Sequence, residues 1–186
     1  MDLTDHDTMS DGLKAKGYKT RGFRVIVGSE VKTGRCDVIG LFLSEEIKSK
    51  PFLEAIHEIK GQGGLAVMPH PLDHRRGSAV KPNEKEAKLA DAMELFNSRC
   101  LFKECNGKAF FLARKLRIGM TAGSDVHFAD EIGRAGIATE SDDLYPAIVH
   151  ANIKVFGKRC SAMSYCRALA RKLLPEESSK ETRARK

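Results

Sequence analysis

The run IGMTAGSDVH, residues 118–127, passes from a short apolar stretch directly into a carboxylate and an imidazole. IGMTA (118–122) reads as a buried strand, and GSDVH sets Asp125 and His127 just past its end. Three other stretches repeat the arrangement: FRVIV (23–27) runs into GSE, ending at Glu30, GLAVM (64–68) into PHP, with His70, and AMELF (92–96), which contains Glu94, into NSR, with Asn97. In a parallel α/β fold all strand C-termini lie on one face, and in a barrel that face holds the active site. Residues far apart in the chain are therefore expected to converge.

Helical patterns separate these strands. PFLEAIHEIKGQG (51–63) has Pro at its start, apolar residues at helical spacing and Gly at its end. EKEAKLA (84–90) and ECNGKAFFLARKL (104–116) read as helices, although a Gly weakens the second. CDVIGLFL (36–43) and AGIAT (135–139) read as further strands. SDDLYPAIVHAN (141–152) is a helix with Ser141 or Asp142 as its N-cap and Pro146 in its first turn. SAMSYCRALARKLL (161–174) is amphipathic and basic. Strands alternating with helices predict parallel βα units and an α/β class. An open doubly wound sheet and a closed barrel both remain possible at this point.

The 186 residues suit one domain, expected over 1–174, followed by a polar tail, PEESSKETRARK (175–186), read as disordered. No apolar stretch approaches the ~20 residues of a membrane span, so no membrane association is expected. The N-terminus lacks the basic and apolar regions of a secretory signal. Five cysteines, Cys36, Cys100, Cys105, Cys160 and Cys166, are odd in number and contain no C-x-x-C pair. They read as reduced thiols of a cytoplasmic protein, neither a disulfide framework nor a zinc finger. The net charge of +7 is concentrated in residues 151–174, where Lys154, Lys158, Arg159, Arg167, Arg171 and Lys172 stand with no acid. Such a segment is either a solvated helix face or a contact for phosphate-bearing partners.

The residues delivered to the strand ends are His, Glu and Asp, joined by DLTDHDT (2–8) with His6. Imidazole nitrogen and carboxylate oxygen suit zinc, manganese or iron. A carboxylate can bridge two cations, so one Glu among several His suits a dinuclear site, where two metals polarise a phosphoryl group and generate hydroxide. Cysteine is absent from each of these strand-end stretches, GSE, PHP, NSR and GSDVH, against a structural thiolate-zinc site. His57 within a helix and His150 near a helix end read as structural. His74 in PLDHRRG reads as a third ligand, a phosphate contact or an exposed loop residue.

LTDHDT, RVIVGSEV, DVIGLFL, HP, MELFNSR, TAGSDVH and EIGRAGIAT, in that order, resemble the PHP (polymerase and histidinol phosphatase) metal-dependent phosphoesterases over roughly residues 2–140. The resemblance implies a distorted (β/α)7 barrel holding two or three divalent cations, with Mn, Fe or Zn as candidates. By position, His6, Glu30, His70, Asp125 and His127 match metal ligands, Glu30 being the bridging carboxylate. His6, Asp125 and His127 also take the catalytic positions, and Asn97 matches a polar residue of the site. A metal-bound hydroxide attacks phosphorus in that family, and Arg75, Arg76 or Arg99 is expected to neutralise phosphate oxygens here.

Family members begin with a βα unit that carries an H-x-H pair and a following Asp, and these 186 residues contain no such unit. A real deletion and a misplaced start both fit. The expectation is a weakened metal site, an open strand edge at LTDHDT that does not stay paired, and oligomerisation as a way to cover it. Two functions compete. The first is hydrolysis of a small phosphomonoester or phosphodiester, with nucleotides among the candidates. The second is a catalytically silent scaffold that binds RNA through residues 151–174.

Overall fold

The computed structural model describes residues 1–18, 21–73, 82–100 and 102–173. His74, Arg75, Arg76 and the expected tail at 175–186 lie outside the described residues. The strands are β1 (Asp2–His6), β2 (Ile26–Lys32), β3 (Asp37–Leu41), β4 (Leu65–Met68), β5 (Ala92–Asn97), β6 (Gly119–Gly123), β7 (Ala135–Ala138) and β8 (Lys154–Gly157). The helices are α1 (Ser10–Lys16), α2 (Phe52–Gly61), α3 (Glu84–Ala87), α4 (Lys103–Leu116), α5 (Leu144–Val149) and α6 (Ala162–Leu173). The first six strands form one curled sheet in chain order, β1 to β6, and β7 and β8 form a separate antiparallel pair beside β5 and β6. The architecture is therefore mixed α/β, an open sheet in the manner of half a barrel. Among the described residues no ladder joins β1 to β6.

The sheet is not wholly parallel, which corrects the expectation of uniform βα units. β1 runs parallel to β2, and β4, β5 and β6 run parallel to one another, but β3 is antiparallel to both β2 and β4. The physical reason is the short link between β2 and β3. A turn of four residues, Thr33–Cys36, allows only a hairpin, whereas a parallel neighbour needs a crossover of a dozen residues or more. Thr33 closes the turn, donating from Oγ1 to the Cys36 carbonyl at 2.5 Å and accepting from the Cys36 N–H at 3.1 Å. Gly28 lets the two strands approach. A Cβ there would lie 2.5 Å from the Gly40 carbonyl oxygen and 2.8 Å from Thr4 Cγ2.

Side-chain alternation builds two apolar layers. Val27, Val31, Val38, Ala66, Met68 and Met93 face α2 and α4, where Ile56, Ile59, Ala109 and Ala113 meet them. Ile26, Leu41, Leu65, Val67 and Ala92 point to the other face, with Ile148 of α5 against them. β4 is buried on both faces, so it reads as an unbroken apolar run.

Several local expectations shift. The strand expected at 23–27 begins at Ile26 and continues through Glu30, because its partners are Asp2 to His6 of β1. Of LTDHDT, expected to come unpaired, Leu3 to His6 are held in that ladder, which Asp2 extends to five residue pairs. β8, inside the basic segment, and α1 carry too few apolar residues to announce themselves. The N-cap of α5 is Asp143, which accepts from the Tyr145 N–H at 3.1 Å, rather than Ser141 or Asp142.

Candidate metal centre

β1, β2, β4, β5 and β6 point the same way, so their C-terminal ends share one edge of the sheet. His6 ends β1, Glu30 lies opposite it in β2, His70 follows β4, Asn97 ends β5, and Asp125 and His127 follow β6. β3 runs the other way, so its first residue, Asp37, sits on that same edge. Asp37 is the acid that the strand-end pattern missed, since only an antiparallel strand presents its N-terminal residue there.

Glu30 is the hub. Its Oε1 lies 3.2 Å from Nε2 of buried His70, and its Oε2 lies 3.8 Å from Nδ1 of the half-exposed His6. Each carboxylate oxygen thus faces a different imidazole. Glu30, Asp37 and His70 offer ligand atoms that all lie within 4.8 Å of one another. Nitrogen and carboxylate oxygen donors at this spacing fit a divalent cation such as zinc, manganese or iron. Asp7 does not add to the set. Lys50 Nζ donates to its Oδ1 at 2.5 Å and the Lys32 N–H at 3.0 Å. Although burial pushes its carboxyl up, these contacts hold it below the ordinary value.

A second strand of contacts ties Asp125 to this hub. Asn97 Nδ2 donates to Asp125 Oδ2 at 3.1 Å and to Glu94 Oε2 at 3.0 Å, and Glu94 Oε2 also accepts the His70 N–H at 2.6 Å. Burial pushes the Glu94 carboxyl up to about 7, against the opposing influence of His70 and Asn97. His127 turns Nδ1 toward Asp125, 3.1 Å from its carbonyl oxygen and 3.5 Å from Oδ1. The backbone is left-handed at His70 (φ 28°) and Asp125 (φ 50°). For residues with a side chain this conformation costs energy, and such strain clusters where function holds it in place.

Glu131 supports the His127 turn from below. It is 0% exposed and accepts the N–H of His127 at 2.8 Å and of Phe128 at 3.3 Å. Arg99 Nη1 donates to both its oxygens, at 3.0 and 3.2 Å. Burial pushes the Glu131 carboxyl up, yet the His127 N–H, the Arg99 charge and the Phe128 N–H together hold it below its usual value. Arg99, expected to meet substrate phosphate, is itself buried and places its guanidinium on this carboxylate. Tyr165 of α6 donates to the Arg99 carbonyl oxygen. Glu131 carries no motif in the sequence beyond standing four residues after His127. Within the basic segment, Arg167 is paired with Asp130 at 3.1 Å and lies over the Phe128 ring, so that charge is already engaged. His57 and His150 are exposed and stand on α2 and at the C-terminal end of α5.

An α/β sheet with acidic and imidazole side chains gathered along one strand edge offers the nitrogen and oxygen donors that divalent cations accept. Residues 103–152 match the family described as PHP-associated. The fold is similar to that of a two-domain protein from Bacteroides vulgatus containing a predicted PHP-like metal-dependent phosphoesterase, with a TM-score of 0.62 and 16% identity, over 84% of this chain and 55% of that one. The match over residues 103–152 and the likeness of fold both make the chain similar to PHP-like proteins. It is 41% identical over 133 residues to the uncharacterized protein MJ0417 of Methanocaldococcus jannaschii, covering 65% of this chain and 56% of that protein. It is 46% identical over 71 residues to the uncharacterized protein MJ1587 of the same organism, covering 37% of this chain and 42% of that protein. The chain thus spans about half the length of the curated relatives it matches.

Proposed function

We propose that the strand-edge site hydrolyses phosphoester bonds with divalent cations held by His6, Glu30, His70, Asp125 and His127, on a PHP-type (β/α)7 barrel framework. The observation that carries this reading is Glu30, whose two carboxylate oxygens face two different imidazoles at the edge where Asp125 and His127 also stand. Bound there, manganese, iron or zinc supplies Lewis acidity toward phosphate oxygens and a hydroxide nucleophile at neutral pH. Asp37 adds a further carboxylate to the Glu30–His70 group.

The chain's own residues do the positioning. Asn97 orients the Asp125 carboxylate and lies at the strand end where a phosphate oxygen would enter. Glu94 fixes the His70 backbone and the Asn97 amide in one contact set. Arg99 acts through Glu131, which holds the turn that carries His127, so its role is positioning rather than phosphate contact. Small phosphomonoesters and phosphodiesters, nucleotides among them, fit an open strand edge of this kind.

The test is hydrolysis of p-nitrophenyl phosphate and bis(p-nitrophenyl) phosphate by the full chain, stripped with chelator and reloaded with manganese or zinc. Turnover that returns with metal and is lost in Glu30→Gln supports the reading. Metal bound in stoichiometric amount without hydrolysis of either ester overturns it. Salt-sensitive RNA binding that persists in Glu30→Gln and in chelator would point to the scaffold function instead.

A further inference from the structure

Behind the strand edge, three side chains from three separate segments meet in the interior. Asp73 lies in the loop after β4, Cys100 in the turn after β5, and Cys105 in the first turn of α4. They are 3%, 1% and 9% exposed. One carboxylate oxygen and the two Sγ atoms all lie within 4.8 Å of one another. The cysteines are unbridged. In the sequence they look scattered, because the spacing C-x-x-x-x-C says little until the third ligand is brought in from 27 residues upstream of Cys100.

We infer that Asp73, Cys100 and Cys105 form a second metal site, specific for a borderline-soft divalent cation, zinc above all. Two thiolates and a carboxylate are ligands that zinc accepts in tetrahedral sites, and three protein ligands leave one position for a small exogenous ligand. The donor set differs in kind from the strand-edge site. That site offers only nitrogen and oxygen and suits manganese as well as zinc, whereas thiolates select zinc over manganese or magnesium. The two sites share no residue.

The position gives the site a purpose. The Asp73 N–H donates to the His70 carbonyl oxygen at 3.3 Å, and the Cys100 N–H donates to the Asn97 carbonyl oxygen at 3.0 Å. A cation held by Asp73, Cys100 and Cys105 therefore clamps together the turn that carries His70, the turn that carries Asn97 and the start of α4. It braces two residues of the strand-edge site without touching substrate. Cation binding would displace the thiol protons, including the one that Cys100 Sγ donates to the Phe102 carbonyl oxygen at 3.6 Å, and buried thiols alone give no such clamp.

The probe is Co2+ added to the reduced, chelator-stripped full chain, read by near-ultraviolet absorption. Thiolate ligation gives an intense sulfur-to-cobalt charge-transfer band that a nitrogen–oxygen site does not produce. The expected result is such a band, saturating at about one equivalent and bleached by zinc. It should persist in His127→Ala, which tests the strand-edge site separately, and in Cys166→Ser, which removes an exposed thiol, and it should vanish in Cys105→Ser. Absence of the band in the folded wild-type chain overturns the inference, as does its survival in the Cys100→Ser/Cys105→Ser double variant. Should those variants not fold, X-ray absorption of the zinc-loaded wild type decides the matter. Because the strand-edge site also takes zinc and adds only nitrogen and oxygen to the average, sulfur neighbours in the zinc shell support the Asp73–Cys100–Cys105 site, and a shell without sulfur rules it out.

Discussion

At the scale of single residues, the molecule relies on a carboxylate that does no chemistry. Glu131 is fully buried, and its charge is balanced by one guanidinium and two backbone N–H groups. Removing one member of such a pair strands the other in the interior, which costs about 3–5 kcal/mol. Glu131→Ala is accordingly expected to lower the free energy of unfolding by about that amount, measured by urea denaturation. Arg99→Met, which leaves the acid without its cation, should cost a comparable amount. The double replacement should cost less than the sum of the singles, because each single already includes the penalty of the stranded partner. Stability near the single-variant sum would mean the two side chains act independently. The sequence could not disclose this pair. Arg99 beside Asn97 reads as a phosphate contact, and only the turn at 124–131 shows that its guanidinium points to Glu131 instead.

At the scale of elements, two termini show how local chemistry sets the boundaries. α4 ends at Arg117, which adopts a left-handed backbone (φ 55°) so that its N–H closes onto the Ala113 and Arg114 carbonyls. Glycine occupies such positions without steric cost. Arg117→Gly is expected to stabilise the fold by about 0.5–1 kcal/mol, part of the relief being offset by the greater freedom of glycine in the unfolded chain. A thermal melt that moves down rather than up would contradict this. α3 begins with a capping box in which Asn83 accepts the Glu86 N–H at 2.9 Å and Glu86 accepts the Asn83 N–H at 3.0 Å. Arg35, from the β2–β3 turn, also donates to Glu86 at 2.9 Å. The Arg35 hydrogen bond first, and then the Asn83 N–H, hold the Glu86 carboxyl below its ordinary value. Its contribution to stability is therefore present above the normal carboxylate range and lost as pH falls through the lowered folded value. Wild type should melt above Glu86→Gln at pH 7, and the two curves should converge in acid. A gap that stays constant with pH would show that the charge is not involved. Elements with strong periodicity, such as α2 and α4, were legible in the sequence. The direction of β3 was not, because hydrophobic alternation carries no sign of strand polarity, and the short link at 33–36 was the only clue.

At the scale of the whole molecule, the polarity of one strand decides what the site contains. Reading strand C-termini alone brings Glu30, His70, Asn97, Asp125 and His127 to one edge, and the shared direction of β2, β4, β5 and β6 accounts for that. The same rule leaves out any residue at a strand start. Reversal of β3 inserts Asp37 into the edge, within 4.8 Å of Glu30 and His70 at their ligand atoms. A buried carboxylate beside a second one is costly unless a cation neutralises both, so a cation bound as proposed would offset the cost of holding Asp37 there. Asp37→Asn keeps the size and polarity of the side chain and removes its charge. It is expected to weaken manganese or zinc affinity by roughly 10–100-fold, the range seen when a supporting ligand partner is removed, and to leave the metal-free chain at least as stable as wild type. Competition against a chelating dye measures the affinity, and urea denaturation in chelator measures the stability. Unchanged affinity with reduced stability would reverse the assignment, making Asp37 a structural partner of the β2–β3 hairpin rather than a member of the metal centre.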